Sequence, residues 1–267
     1  MKNQLQFAFV LSVVVCQTAA AQGKLTTWTV DGVKREAMVF APTKPDPSGK
    51  SPLVVAFHGH GGNMNAAMGM GYQKAWPEAV VVYPQGLPTK TMIDPQGTKP
   101  GWETAPGADG DRDIKFVEAM VASLRSSATP IDDSRVYATG FSNGGIFAYL
   151  LWSQRPNLFA AFGVVAGRWM PGIQPTVPKP LIHIGGTNDQ TVKFEFQKEA
   201  VEGARKVDGA TGNGTPCGPI CTNYPSTKGT PVVFIVHSGG HIFPPFAGPR
   251  IVAFLKQHPG GSVSASR

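Results

Sequence analysis

Hydrophobic positions fall into two periodicities along this chain. Thr26 to Val30 and Val33 to Phe40 mix apolar and polar residues on either side of Asp31-Gly32, a two-residue turn signal, and predict a hairpin. Leu53 to Phe57 and Ala79 to Tyr83 are continuously apolar instead, and Val136 to Thr139, Phe162 to Ala166, Leu181 to Ile184 and Val232 to His237 are largely so. Such runs predict strands covered on both faces, hence a parallel sheet. Between them the spacing becomes helical. Ile114, Val117, Val121 and Leu124 recur at three and four residues, behind acidic residues suited to a helix start. Asn143 to Trp152, Phe194 to Val207 and Arg250 to Gln257 predict three further helices. Strands alternating with helices predict an α/β fold: a doubly wound, mostly parallel sheet flanked by helices. Pro42 to Pro52 reads as a turn-rich connection and Leu87 to Gly110 as a long loop, with no repeat or interdomain linker. A single domain without a large lid is expected.

Composition narrows this picture. The chain has 267 residues, 42% hydrophobic and 15% charged, which suits one globular unit and excludes disorder. Residues 1–21 read as an export signal: Lys2, an apolar run from Phe7 to Val15, then Ala19-Ala20-Ala21 as a cleavage site. The run is too short for a membrane anchor. Val13-Val14-Val15 before Cys16 argue against a lipoprotein. The expected layout is therefore a signal over 1–21, a catalytic domain over 22–258 and a flexible tail over 259–267, in a secreted or periplasmic protein expected to be a monomer. Without Lys2 the net charge of +7 becomes +6. The basic residues are scattered, so no nucleic-acid partner is expected. Cys217 and Cys221 remain as an even pair, which an exported protein is expected to close as a disulfide.

The chemistry centres on Gly140-Phe141-Ser142-Asn143-Gly144, a G-x-S-x-G segment. In a chain with 32 glycines that motif alone is weak. Its place between a predicted strand and a predicted helix strengthens it, because that turn forces a serine into an exposed, strained position. A nucleophilic serine needs a base, and the base a carboxylate to fix its tautomer. Asp189 is the first acid downstream and follows the Leu181–Ile184 strand; Glu195, Glu199, Glu202 and Asp208 read as a solvated helix face. For the base, His241 in the loop after the last strand is preferred to His237, which closes that strand, and to His183, which is mid-strand. Backbone amides of His60, in His58-Gly59-His60-Gly61-Gly62, and of Asn143 are the expected oxyanion hole. Trp102, Trp169 and Phe243 are candidates to line a substrate cleft, and each could equally be core. Asp109, Asp111 and Asp113 resemble half of a calcium loop, but Ile114 and Met120 stand where the glycine and the bidentate acid belong, so helix-start acids are the better account. No metal and no cofactor is called for.

Together, FHGHGGN (57–63), YPQG (83–86), GFSNGG (140–145), GGTNDQTV (185–192) and GGHIFP (239–244) resemble the esterase family of polyhydroxybutyrate depolymerases and bacterial feruloyl or acetylxylan esterases. The resemblance implies an α/β-hydrolase fold, a triad of Ser142, Asp189 and His241, and oxyanion roles for His60 and Asn143. It implies a carboxylic-ester substrate, bulky or polymeric. Relatives often carry Cys in place of His60 and Trp in place of Phe243. A serine peptidase, or a catalytically dead hydrolase scaffold that binds polymer, remains an alternative.

Overall fold

The computed structural model describes residues 22–260; the expected export signal and residues 261–267 of the tail lie outside the described residues. The mixed pattern at the start folds as β1 (Gly23–Val30) and β2 (Val33–Phe40), paired antiparallel. Asp31 and Gly32 both take positive φ, 49° and 77°, as the predicted two-residue turn requires. The apolar runs become β3 (Ser51–Phe57), β4 (Val80–Pro84), β7 (Ile131–Phe141), β8 (Ala161–Val165), β9 (Leu181–Gly186) and β12 (Val232–His237). Two-residue strands β5 (Leu87–Pro88) and β6 (Pro100–Gly101) pinch the long loop at its base. A hairpin of β10 (Thr215–Gly218) and β11 (Cys221–Tyr224) has no signal in the sequence, because Thr-Pro-Cys-Gly shows no alternation. The Cys217–Cys221 disulfide closes its turn.

The ten longer strands form one sheet in the order β1-β2-β4-β3-β7-β8-β9-β12-β11-β10. The six from β4 to β12 run parallel, and antiparallel hairpins complete each end. Helices α3 (Arg112–Arg125), α4 (Asn143–Gln154) and α5 (Phe194–Asp208) pack on one face through residues such as Phe116, Phe147 and Val201. The short α1 (Met64–Met68) and α2 (Tyr72–Ala75), with α6 (Ala247–Lys256), cover the other through Ala67, Tyr72, Ile251 and Leu255. The doubly wound α/β architecture is as expected.

Strand order reverses between β3 and β7, whose carboxyl ends therefore open a crevice no crossover helix can fill. His58–Gly62 leaves β3 there, and Ser142 leaves β7. Beside the crevice lies a buried ion pair. Arg35 Nη2 donates to Asp113 Oδ1 at 2.6 Å, with both side chains almost fully buried, and Asp113 Oδ2 accepts from the Glu103 amide. Asp113 is thus a core anchor joining β2, the long loop and α3. Burial, then the Asp113 charge, raises the Glu103 carboxyl from 4.5 to about 8.

Candidate active site

Ser142 sits at φ 56°, ψ −120°, a conformation that non-glycine residues adopt only when their surroundings impose it. The surroundings are the close passage of α4 against β3 and β7. A Cβ on Gly140 would lie 2.2 Å from the Gly144 carbonyl oxygen, and one on Gly144 would lie 2.3 Å from that of Phe57. Only bare backbone fits, so the strand-to-helix turn is sharp and its middle residue projects at the crevice. The Ser142 amide donates to Val165 O at 2.9 Å and its carbonyl accepts from Ile146 N, which fixes the turn from both sides.

Three predicted side chains meet at this turn. Ser142 Oγ lies 2.8 Å from His241 Nε2, and His241 Nδ1 lies 2.8 Å from Asp189 Oδ2. Asp189 is buried, and its remaining acceptor sites are filled: Oδ1 takes the amides of Thr191 and Val192, both at 2.9 Å, and Oδ2 also takes Gln197 Nε2 at 3.0 Å. Carboxylate and histidine leave β9 and β12, which are parallel neighbours, so the sheet itself brings their loops together. His237 is elsewhere employed. Its Nδ1 accepts the Gly239 amide at 3.0 Å, which braces the loop that presents His241.

Behind Asp189 stands a chain of polar groups that sequence reasoning missed. Gln197, fully buried on α5, also donates to Val192 O, and its Oε1 faces His183 Nε2 at 3.4 Å. His183 Nδ1 in turn lies 2.7 Å from the Tyr149 hydroxyl. Burial lowers His183 to about 4 and raises Tyr149, so at neutral pH both are uncharged. Tyr149 then donates to Nδ1 and Nε2–H points at Gln197, which fixes the amide with its nitrogen toward Asp189. The available signal was a polar residue on the otherwise small and apolar stripe Gln197, Ala200, Val201, Ala204. Asp208 closes that stripe. It is buried rather than on a solvated face, accepts the Lys179 amide, and is raised to about 8 by desolvation.

The glycine-rich loop after β3 is held by its histidines. His58 Nδ1 donates to Gly59 O and Nε2 accepts the Gly86 amide, which uses both ring nitrogens. His60 Nε2 contacts Asp94 Oδ2 at 3.1 Å. Asp94 also accepts the Lys99 amide and the Thr98 hydroxyl, and these bonds, led by the amide, lower its carboxyl from 3.8 to about 2. Asp94 thereby latches the long loop to the glycine loop. The backbone amides of His60 and Asn143 donate to no protein acceptor among the described residues. The Asn143 side chain is committed, with Oδ1 accepting Trp102 N and Nδ2 donating to Trp102 O.

Two of the three aromatic candidates do not line a cleft. Trp102 is fully buried, stacked on Phe147 and donating Nε1 to His58 O, because Asn143 draws its backbone under the crevice. Trp169 packs edge-on against Tyr149 and over Gly203 of α5, where a Cβ would strike its ring. Phe243 does face a hollow, an apolar pocket of about 340 Å³ shared with Met70, Phe141 and the His58–Gly59 backbone. Its neighbour Phe141 lies 4.9 Å from the His241 ring. A second cleft, about 200 Å³, is lined by Ser142 itself together with His60, Asn143 and Ile146. Met92 and Ile93, largely exposed, form its outer lip from the latched loop. Asp109 and Asp111 sit in a short 3-10 turn, and no cluster of three metal-type ligands occurs among the described residues. No helix among them is long and apolar enough to cross a membrane.

Known proteins resemble this chain in sequence and in fold. The chain is 31% identical over 168 residues to a bifunctional acetylxylan esterase/xylanase, XynS20E, of Neocallimastix patriciarum; the match covers 61% of this chain but only 23% of that protein. It is 27% identical over 217 residues to feruloyl esterase C of Emericella nidulans, covering 78% and 76% of the two chains. A ferulic acid esterase from Anaeromyces mucronatus, solved with ferulic acid, superposes with a TM-score of 0.60 over 96% of this chain and 98% of its own, at 16% identity. That likeness establishes the α/β-hydrolase fold. The Esterase family model, described as "Putative esterase", matches residues 31–211, which include Ser142 and Asp189 and end before His241. The match takes in well over half of the 267 residues, and the chain belongs to the Esterase family.

Proposed function

We propose that the protein hydrolyses carboxylic esters through an acyl-enzyme on Ser142. The observation that carries this reading is the His241 ring set between Ser142 Oγ and the buried Asp189 carboxylate. His241 Nε2 takes the hydroxyl proton as Oγ attacks the carbonyl carbon, while Asp189 holds Nδ1–H and stabilises the imidazolium. The carbonyl oxygen, now negative, is received by the uncommitted amides of His60 and Asn143, the latter at the positive end of α4. His241 returns the proton to the leaving oxygen; water then repeats the sequence and releases the acid.

Geometry also orients the substrate. The leaving oxygen must face His241, and the apolar pocket under Phe243 and Phe141 adjoins that ring, so the alcohol part belongs there. The acyl part belongs in the cleft beside His60 and Asn143. Both hollows open at the surface, which supports a bulky or polymeric ester, of the feruloyl, acetyl or hydroxyalkanoate kind. Export through residues 1–21 is part of the same proposal, supported by the disulfide.

Turnover of 4-nitrophenyl acetate and butyrate by the mature chain tests the reading. Wild type must exceed Ser142→Ala by at least about a thousand-fold, and a fluorophosphonate probe must label wild type alone. Equal rates refute ester hydrolysis at Ser142. Cleavage of peptides without preference for esters would assign a peptidase, and polymer binding without labelling a non-catalytic scaffold. Intact mass of the protein secreted from its host reads the cleavage site.

A further inference from the structure

The acyl cleft carries charge that hydrolysis of a neutral ester does not need. Its walls are apolar at Met92, Ile93, Ile146, Met170 and Val192, yet Arg168 and Lys193 also line it, and no acidic side chain does. Arg168 is placed rather than loose. Its guanidinium stacks 4.0 Å from the centre of the Phe196 ring, another lining residue, and Nε donates to Trp169 O. That leaves the terminal nitrogens without an acidic partner among the described residues. The carboxylates on the adjoining loops are already engaged: Asp94 by His60 and the Lys99 amide, Asp189 by His241. Lys193 stands at the start of α5, a helix of 15 residues, so the positive end of that helix adds to the same wall. A stacked guanidinium with a free fork, over an apolar floor, is the arrangement that receives a carboxylate at the end of a short hydrocarbon or aromatic stretch.

Resting on the ester-hydrolase reading, we propose that this cleft selects acyl groups that end in an anion, with Arg168 as the residue that reads the charge. The substrate class is the monoester of a dicarboxylic acid, either as a single unit or as the free-acid end of a diacid–diol oligoester. A cleft of about 200 Å³ is roughly 7 Å across if spherical, small enough to place the far end of a bound acyl chain against Arg168 while its carbonyl meets Ser142.

The test pairs two methyl esters with the same six-carbon acyl chain, monomethyl adipate and methyl hexanoate, assayed by methanol release from the full mature protein. Wild type is expected to favour the adipate in kcat/KM by about ten-fold or more, the usual scale for one charge-assisted hydrogen bond. Arg168→Gln should bring that ratio down to about one, Arg168→Lys should restore part of it, and about 0.5 M salt should shrink it in wild type. A wild-type ratio at or below one overturns the proposal, as does a ratio that survives Arg168→Gln. Should neither methyl ester turn over, competition against 4-nitrophenyl acetate decides instead, and monomethyl adipate must be the stronger competitor. A chain inert toward 4-nitrophenyl acetate refutes the ester-hydrolase reading itself, a different outcome from an active chain with no charge preference.

Discussion

Replacing Gln197 tests whether the buried chain behind Asp189 serves the chemistry or only the packing. Among the described residues Gln197 Nε2 is the one side-chain donor to Asp189 Oδ2 besides His241, at 3.0 Å, and both residues are buried. Gln197→Leu keeps most of the volume and removes that bond. A hydrogen bond to a charged group contributes about 1.5–3 kcal/mol, and the unpaired His183 N–H adds a further cost, so stability should fall by roughly 2–4 kcal/mol. The carboxylate then orients His241 less firmly, and kcat should fall about ten-fold with little change in KM. Gln197→Glu gives the sharper reading. It sets a second carboxyl about 3 Å from Asp189, and two such groups share one proton until the pH is well above the usual carboxylate range. While protonated, the introduced carboxyl can donate to Asp189 as the amide did; once ionised it repels it. Activity of this variant should therefore approach wild type near pH 5 and fall progressively behind wild type as the pH rises. The assay is kcat/KM for 4-nitrophenyl acetate from about pH 5 to 9, beside urea melts of each variant. A Gln197→Glu profile that superposes on wild type, or undiminished kcat in Gln197→Leu, refutes a positioning role.

Gly144→Ala should cost about 1–3 kcal/mol, because the new Cβ meets Phe57 O at 2.3 Å and His58 O at 2.6 Å and α4 must move away. The same shift should lower kcat about a hundred-fold; thermal melts and 4-nitrophenyl butyrate kinetics check both. Glu103 is raised from 4.5 to about 8, so the folded state holds a proton that the unfolded state has released. Its stability is fully present below pH 4.5 and is eroded as the pH rises toward 8, by at most about 1.4 kcal/mol per pH unit. Glu103→Gln should flatten that slope in urea melts taken from about pH 4.5 to 8.5, and parallel curves would contradict it. Asp94→Ala should release the latch between the two loops and raise KM for 4-nitrophenyl butyrate roughly five-fold, with kcat less affected. The wild-type latch should itself weaken as the pH falls from 3.8 toward about 2, where Asp94 takes up its proton.

The sequence was most legible where chemistry and local structure coincide. A serine between glycines, after an apolar strand and before a helix, carries its own geometry, and Asp189 and His241 follow strands that prove to be neighbours. The preference for His241 over His237 rested on loop placement, and the structure accordingly gives His237 a bracing role. Failures came from long-range contacts. Trp102 lies in a glycine- and proline-rich loop where core and cleft read equally well, until Asn143, forty-one residues later, binds its backbone on both sides. Asp113 and Asp208 look like surface acids on helices, but Arg35 and the Lys179 amide receive them in the core. Gln197 was hidden differently: Asp189 and Val192 lie only eight and five residues before it, but the turn that folds them back onto the helix face has no mark in the sequence.

The two hairpins that end the sheet bear on what its border strands offer to another chain. A large, mostly parallel sheet forms slowly, and its border strands offer unpaired amides and carbonyls to any neighbouring chain. Here neither border is a long apolar parallel strand. On one side β10 spans four residues, all exposed, with a proline, a register shift and a disulfide within one turn. On the other, β1 carries Lys24 and is paired with β2, whose Lys34 and Glu36 form an ion pair. An irregular, covalently clipped strand cannot template another copy, and a charged one resists it. A disulfide closing so short a loop restricts the unfolded chain little, so reducing it should shorten the time the protein stays soluble at high concentration before it shifts the melting point.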